Sequence, residues 1–308
     1  MSKKILITGA NGFLGSAITR VAIKKKYDIR VLIREESDTS NLDGLNLEVV
    51  KGDLREKHSL VDAVDGCDIF FHVAADYRLW ARKKSEIYES NVFGTQNLLE
   101  SIKDIKKHRL IFTSSVATLG IRENEVTDET TPVSFDEMIG DYKKSKYISE
   151  QIVLDYIKNK NLNAIIVNPS TPIGPGDNKP TPTGRIVLQM LLKKMPAYVD
   201  TGLNFAHVDD VANGHFQALE KGVVGEKYIL GGENILLKDF LDMVAEFGEV
   251  PKPLRKLSTL PLYPFAFLNE FLGNLIKTYD PMLTVDGLLM SEKKMFFSSE
   301  KAKKKLGY

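Results

Sequence analysis

Lys4-Ile5-Leu6-Ile7-Thr8-Gly9-Ala10-Asn11-Gly12-Phe13-Leu14-Gly15 is the stretch that decides the fold. A short apolar run meets three glycines at G-x-x-G-x-x-G spacing. From Phe13-Leu14 to Ala22-Ile23 the apolar residues then recur at helical intervals. Gly9 allows a tight turn, Gly12 lets the backbone approach a pyrophosphate, and Gly15 lets the helix pack closely on the strand. The helix start offers free N–H groups and a partial positive charge to phosphates. A glycine triplet alone marks only a strand–turn–helix corner. Its place after the first strand points to a dinucleotide site formed by Gly9, Asn11, Gly12, Phe13, Leu14 and Gly15.

Outward from that corner, apolar strands alternate with helices. Strands are predicted at Ile29–Ile33, Leu47–Val50, Ile69–Val73, Leu110–Thr113 and Ala164–Val167. Helices are predicted from Tyr88 to Ile102 and from about Tyr142 to Ile157. Near-continuous Val, Ile and Leu strands between helices mean a parallel sheet buried on both faces. The expected fold is α/β, a doubly wound parallel (Rossmann) sheet with a smaller C-terminal substrate-binding region. The boundary is set at 1–168 and 169–308, with some later segments returning to the core. Proline and glycine crowd Pro169 to Gly184, which reads as a functional loop. Helices follow from about Arg185 to Lys194, Val208 to Leu219 and Leu237 to Phe247, with a strand near Tyr228-Ile229-Leu230.

The bulk numbers agree with a soluble enzyme. In 308 residues, 43 % are apolar, 27 % are charged, and the net charge is +1. No global field draws the chain to nucleic acid. Lysines at 24–26 and 303–305 read as solvated helix ends. One cysteine, Cys67, permits neither an internal disulfide nor a thiolate zinc site, so no metal is expected and the cytoplasm is the expected location. Too few apolar residues follow Met1-Ser2-Lys3-Lys4 for a signal-peptide core. No uncharged run is long enough for an integral membrane segment.

Other strand ends fit the same ligand, since open α/β sheets bind at the carboxyl edge. Arg34, with Ser37 behind it, ends the second strand. An arginine there suits a ribose 2′-phosphate, so NADP(H) is favoured, while Glu35 and Glu36 keep NAD(H) open. Asp53-Leu54 follow the third strand, where the aspartate could accept from an adenine amino group. Ala74 and Ala75 follow the fourth and let the backbone pass close to a ribose.

Tyr142 and Lys146 are four apart, on one face of a helix. A nearby ammonium lowers a phenol's pKa, which suits proton exchange with a carbonyl oxygen. Thr113-Ser114-Ser115 ends the fifth strand at the ligand edge, and a serine hydroxyl there can hold the substrate oxygen. Asn91 could hold a water or a backbone kink near Lys146.

Taken in order, these residues resemble the extended short-chain dehydrogenase/reductase family. The resemblance covers essentially the whole chain. It is closest to the NAD(P)-dependent epimerase/dehydratase branch, with its dihydroflavonol 4-reductase-like proteins and hopanoid-associated sugar epimerases. The strings that carry it are 72–80 (HVAADYRLW), 168–175 (NPSTPIGP), 180–186 (PTPTGRI) and 199–204 (VDTGLN). It implies Ser115 rather than Ser114 as the catalytic serine, Tyr142 as acid/base, and Lys146 on the nicotinamide ribose. It implies Pro169 and Ser170 beside the nicotinamide, and Arg185 near a diphosphate in sugar-nucleotide members.

On the substrate side, His72, Tyr77, Arg78 and Trp80 follow the fourth strand and could stack on a ring or bind an anion. His207 reads as a helix N-cap. The apolar stretch Leu257 to Ile276 is expected to be a buried helix, the sharper alternative being a membrane-facing or lipid-substrate lip. The leading expectation is hydride transfer between NAD(P)(H) and a carbonyl or secondary alcohol of a small molecule. The alternatives are a nucleotide-sugar epimerase holding NAD and a non-catalytic dinucleotide sensor. The helices near 88–102 and 142–157 could pair in a homodimer.

Overall fold

A computed structural model describes residues 3–123 and 125–308; Met1 and Ser2, at the start of the stretch read for a signal peptide, lie outside it. The first half holds β1 (Lys4–Thr8), α1 (Phe13–Lys24), β2 (Asp28–Ile33), β3 (Glu48–Lys51), α2 (Val61–Val64), β4 (Ile69–His72), α3 (Ser85–Tyr88), α4 (Gly94–Ser101), β5 (Arg109–Thr113), α5 (Gly140–Lys160) and β6 (Ala164–Pro169). A π-turn over Glu89–Phe93 joins α3 to α4. Beyond Pro169 come β7 (Thr171–Ile173), α6 (Pro182–Leu191), β8 (Ala197–Val199), β9 (Gly202–His207), α7 (Val208–Lys221), β10 (Lys227–Leu230), β11 (Glu233–Leu236), α8 (Leu237–Phe247), β12 (Arg255–Leu257), α9 (Tyr263–Leu275), α10 (Val285–Ser291), β13 (Lys294–Met295) and α11 (Glu300–Leu306).

Seven parallel strands form the main sheet in the order β10-β6-β5-β4-β1-β2-β3. The order reverses between β1 and β4, so their carboxyl ends open a crevice there. Strand side chains alternate between two cores. Ile5 and Ile7 face α1 and α7, with Ala17, Ile18, Val211 and Phe216. Leu6, Phe70 and Phe112 face α4 and α5, with Leu98, Leu99 and Val153. Burial on both faces is why these strands carry so few polar residues.

Past residue 168 the chain serves both regions. β10 extends the main sheet and α7 packs on it, whereas β9, β7, β11 and β13 form a second small sheet. Its own core stacks Phe205 on Phe240 with centroids 4.1 Å apart.

The buried helix expected over 257–276 is not what forms. The helix α9 exists, but only Ala266 and Gly273 are buried in it. Phe267 is 61 % exposed, Phe271 58 % and Leu275 65 %. Apolar content sets a helix's affinity for cover, but not whether the chain itself supplies that cover.

Gly15 allows the packing on which the crevice rests. A Cβ there would lie 1.9 Å from the Gly9 carbonyl oxygen. Gly15→Ala is therefore expected to cost about 3 kcal/mol, the upper range of overpacking. The check is thermal unfolding, where the midpoint should fall by several degrees.

Candidate active site

The glycine loop is built by close backbone contact. Gly9 adopts φ +71°, and a Cβ on it would meet the Ala74 backbone nitrogen at 2.7 Å. So the loop after β1 lies directly against the loop after β4. Gly12 caps α1 without a side-chain acceptor, and no acidic residue occupies the first turn. The first-turn N–H groups therefore point outward as donors. Asn11 ties the loop to its surroundings: its amide donates to the Asp38 carbonyl at 2.9 Å, and its carbonyl accepts from Asn41 at 3.2 Å.

Arg34 is exposed at the end of β2 and makes no ion pair within 4.0 Å among the described residues. Its neighbour Glu35 faces Lys51 instead. Asp53 meets Arg55 in a two-pronged contact of 3.0 and 2.6 Å. Burial pushes the Asp53 carboxyl up, yet these hydrogen bonds outweigh it and hold the group below its ordinary value. Leu54 packs against the start of α4, where a Cβ on Gly94 would lie 3.0 Å from its own. Pro169 ends β6, and the Ser170 hydroxyl just beyond it is buried without a hydrogen-bond partner among the described residues.

Two helices and a strand end bring the catalytic candidates together. Tyr142 lies in the first turn of α5, its phenol beside Ser115 just past β5. Burial raises the phenol above its ordinary value, and Ser115 opposes that rise. The expectation that Lys146 lowers it is corrected here. The Lys146 ammonium instead donates to the Thr113 carbonyl at 2.8 Å and lies 4.8 Å from the Phe112 ring centre. Burial pushes Lys146 itself down to about 8, against the pull of Glu150.

The two adjacent serines divide their work. Ser114 is buried and donates to the Glu150 carboxylate. Ser115 is partly exposed, and its hydroxyl accepts from the Ala117 amide at 3.1 Å. Glu150 also accepts from Thr118 at 2.8 Å and Asn168 at 3.2 Å, and pairs with Lys227 of β10. This fully buried carboxylate was missed in the sequence, although Tyr142, Lys146 and Glu150 recur at four-residue spacing. Asn41 was missed too. It bridges the glycine loop to the Gly176 carbonyl at 3.0 Å, and nothing in its loop context marks it.

Asn91 does not touch Lys146. It sits in the π-turn, where its Oδ1 accepts from the Asp76 amide at 2.7 Å. Its amide donates to the Asp76 carbonyl and the Ser145 hydroxyl, each at 2.9 Å. It thus fastens the loop after β4 to α5.

The substrate-side expectations divide. His72 is corrected: it points inward, bonded to Thr8 at 2.8 Å and Thr95 at 3.0 Å. Arg78 is bound by Asp76 and Glu86. Tyr77 is exposed, its hydroxyl 3.3 Å from the Lys179 carbonyl. Trp80 packs beside Pro281 over Gly273 of α9, and Arg185 pairs with Asp280 at 2.9 Å. His207 does cap α7, accepting from the Asp209 amide at 3.2 Å.

This combination defines a dinucleotide-binding enzyme with a tyrosine–lysine–serine group at the crevice. The model of the NAD dependent epimerase/dehydratase family matches residues 5–231. A Synechocystis sp. protein that bears the name dihydroflavonol 4-reductase is 39 % identical, over 100 % of this chain and 90 % of its own. Sterol demethylase protein B of Methylococcus capsulatus is 32 % identical, over 86 % of this chain and 80 % of its own. The crystal structure of gox2253 is 51 % identical with a TM-score of 0.87, covering 100 % of this chain and 93 % of that one. The chain belongs to the NAD dependent epimerase/dehydratase family. It is an NAD(P)-dependent enzyme of the oxidoreductase or epimerase kind. Among the described residues no cluster of His, Cys, Asp or Glu could hold a metal ion, and no helix is long and apolar enough to cross a membrane.

Two buried histidines give the fold an acid limit. Burial pushes His72 down to about 3 and His215 to about 4. The folded protein keeps both neutral, whereas the unfolded chain protonates them below about 6.5. Stability is thus present above pH 6.5 and falls as pH drops toward 4. Denaturant titrations across that range should show this slope, and His72→Gln should flatten it.

Proposed function

We propose that this enzyme catalyses net reduction of a carbonyl, or oxidation of the matching secondary alcohol, with NADP(H) preferred over NAD(H). The observation that carries the reading is the placing of Tyr142, Ser115 and Lys146 together at the sheet edge that also holds the glycine cradle. The cradle fits a dinucleotide: it has uncapped N–H donors, backbone approach at Gly9 and Gly12, and an unpartnered Ser170 hydroxyl on the nicotinamide side. Asn11, Phe13 and Leu14 would meet the pyrophosphate, Asp53 and Leu54 the adenine, and Ala74, Ala75 and Pro169 the ribose and nicotinamide.

When bound, the nicotinamide supplies or accepts the hydride. Tyr142 holds the substrate oxygen and gives it a proton in the reducing direction. Ser115 donates a second hydrogen bond and steadies charge as it develops on that oxygen. Lys146 would bind the ribose hydroxyls. Asn91 positions α5 through Ser145. Tyr77, Trp80 and Arg185 border the substrate side.

Arg34 supports the 2′-phosphate preference because it is exposed at the end of β2 with no ion pair among the described residues. A preference for the 2′-phosphate favours net turnover over an epimerase's closed cycle, which would hold its NAD tightly. The single, buried Cys67 fits a cytoplasmic enzyme. Phe93, 55 % exposed between α3 and α4, supports a homodimer that buries it.

Tyr142→Phe should lower kcat by about a hundredfold or more while leaving dinucleotide affinity unchanged. Full activity in that variant would sink the assignment. Arg34→Ala should weaken NADPH binding by about tenfold or more and spare NADH, since one charge-assisted contact is worth about 1.5–3 kcal/mol. Cofactor absorbance should change steadily during turnover of a ketone panel; product formation at constant absorbance would instead mark an epimerase.

A further inference from the structure

The helix α9 has one attached face and one bare face. Its attached face is formed by Ala266 and Gly273, seven residues apart. Trp80 and Pro281 press on Gly273 so closely that a Cβ there would lie 2.9 and 2.6 Å from them. Arg82 closes the helix end, donating to the Gly273 carbonyl and to that of Ile276 at 2.7 Å. So α9 is fastened to the loop after β4, the same loop that Asn91 fastens to α5.

On the opposite face Pro264, Leu268, Phe271 and Leu275 follow at intervals of four, three and four, flanked by Phe265 and Phe267. All six are exposed. Leu254 and Leu260, just before the helix, are 84 % and 77 % exposed. Contiguous apolar surface of this kind marks an interaction site.

Charge decides what covers it. Between Pro251 and Lys277 the cations are Lys252, Arg255, Lys256 and Lys277, all exposed. Lys256 pairs with Asp200, and the other three make no ion pair within 4.0 Å among the described residues. The only carboxylate in that stretch is Glu270, which is partly buried and accepts from the Val285 amide at 2.9 Å. Nearby Asp280 and Glu292 are also engaged, the first by Arg185 and the second by Thr259 and Tyr263. An aromatic and leucine face flanked in sequence by cations with no ion pair among the described residues, its neighbouring carboxylates engaged by other groups, has the composition of a helix lying in an anionic lipid interface.

The geometry points to α9 as a peripheral docking helix that seats the enzyme on an anionic bilayer surface. Its apolar face enters the headgroup boundary, and Lys252, Arg255 and Lys277 meet lipid phosphates. The substrate-side loop, held to α9 through Trp80 and Arg82, then faces the membrane.

The test is flotation of the full-length protein with vesicles of phosphatidylcholine alone and of equal parts phosphatidylcholine and phosphatidylglycerol. The protein should float with the mixed vesicles, bind the neutral ones at least tenfold less, and be released by high salt. Phe267→Ser combined with Phe271→Ser, and separately Arg255→Glu combined with Lys277→Glu, should each lower binding about tenfold or more. These side chains are exposed, so both variants should keep the parent's thermal midpoint and dinucleotide binding. The proposal is overturned if the parent stays unbound on mixed vesicles, or if the phenylalanine variant floats as well as the parent. It is equally overturned if sedimentation without lipid shows a dimer that the phenylalanine variant dissolves, since a second copy would then cover the face. None of these readouts depends on turnover.

Discussion

The Gly9 carbonyl occupies the space where any side chain on residue 15 would begin. That single contact draws the start of α1 against the end of β1. Gly9 in turn rests on the Ala74 backbone, so the ends of β1 and β4 are joined at the point where the strand order reverses. The end of β1, the start of α1 six residues later and the distant loop after β4 thereby share one small volume of backbone. The phosphate cradle, the ribose passage and the loop toward Trp80 all start from it. Close packing of this kind has discrete arrangements and little give.

A second constraint organises the catalytic half. Glu150 is a fully buried carboxylate reached by Ser114, Thr118, Asn168 and Lys227. These partners come from the loop after β5, from β6 and from β10. A buried charge is tolerable only when its hydrogen-bonding demand is met, so the carboxylate gathers those segments around α5. Lys146 and Tyr142 stand one and two turns earlier on the same helix. Ser115 is left free to meet Tyr142 because Ser114 takes the inward position.

The main sheet was legible because its strands are apolar on both faces, a pattern no surface element shares. The glycine loop was legible because its spacing is backbone geometry written in residue type. Tyr142 and Lys146 stood out through helical spacing together with Ser115 and the family resemblance. What failed to show depends on partners distant in sequence. His72 reads as a polar residue at a ligand edge, yet Thr8 and Thr95 draw it inward. Lys146 was expected to act on Tyr142, but its ammonium donates to the Thr113 carbonyl. The short strands β7, β8, β11, β12 and β13 have too few residues to express a period. For α9, hydrophobicity was plain, while exposure depended on what the rest of the chain left uncovered.

The π-turn at Glu89–Phe93 carries a consequence for lineage as well as for geometry. It places one extra residue in the helix and leaves the Asn91 carbonyl to accept from the Thr95 and Ser149 hydroxyls, at 2.6 and 2.7 Å. Deleting a single residue upstream would restore a regular helix, but would rotate Asn91 by roughly 100° about the axis. Asp76 and Ser145 would lose their shared partner together. The bulge therefore behaves as a ratchet against length change: substitutions can accumulate around it one at a time, whereas an insertion or deletion in 85–101 would have to rebuild the β4 loop and α5 in the same step.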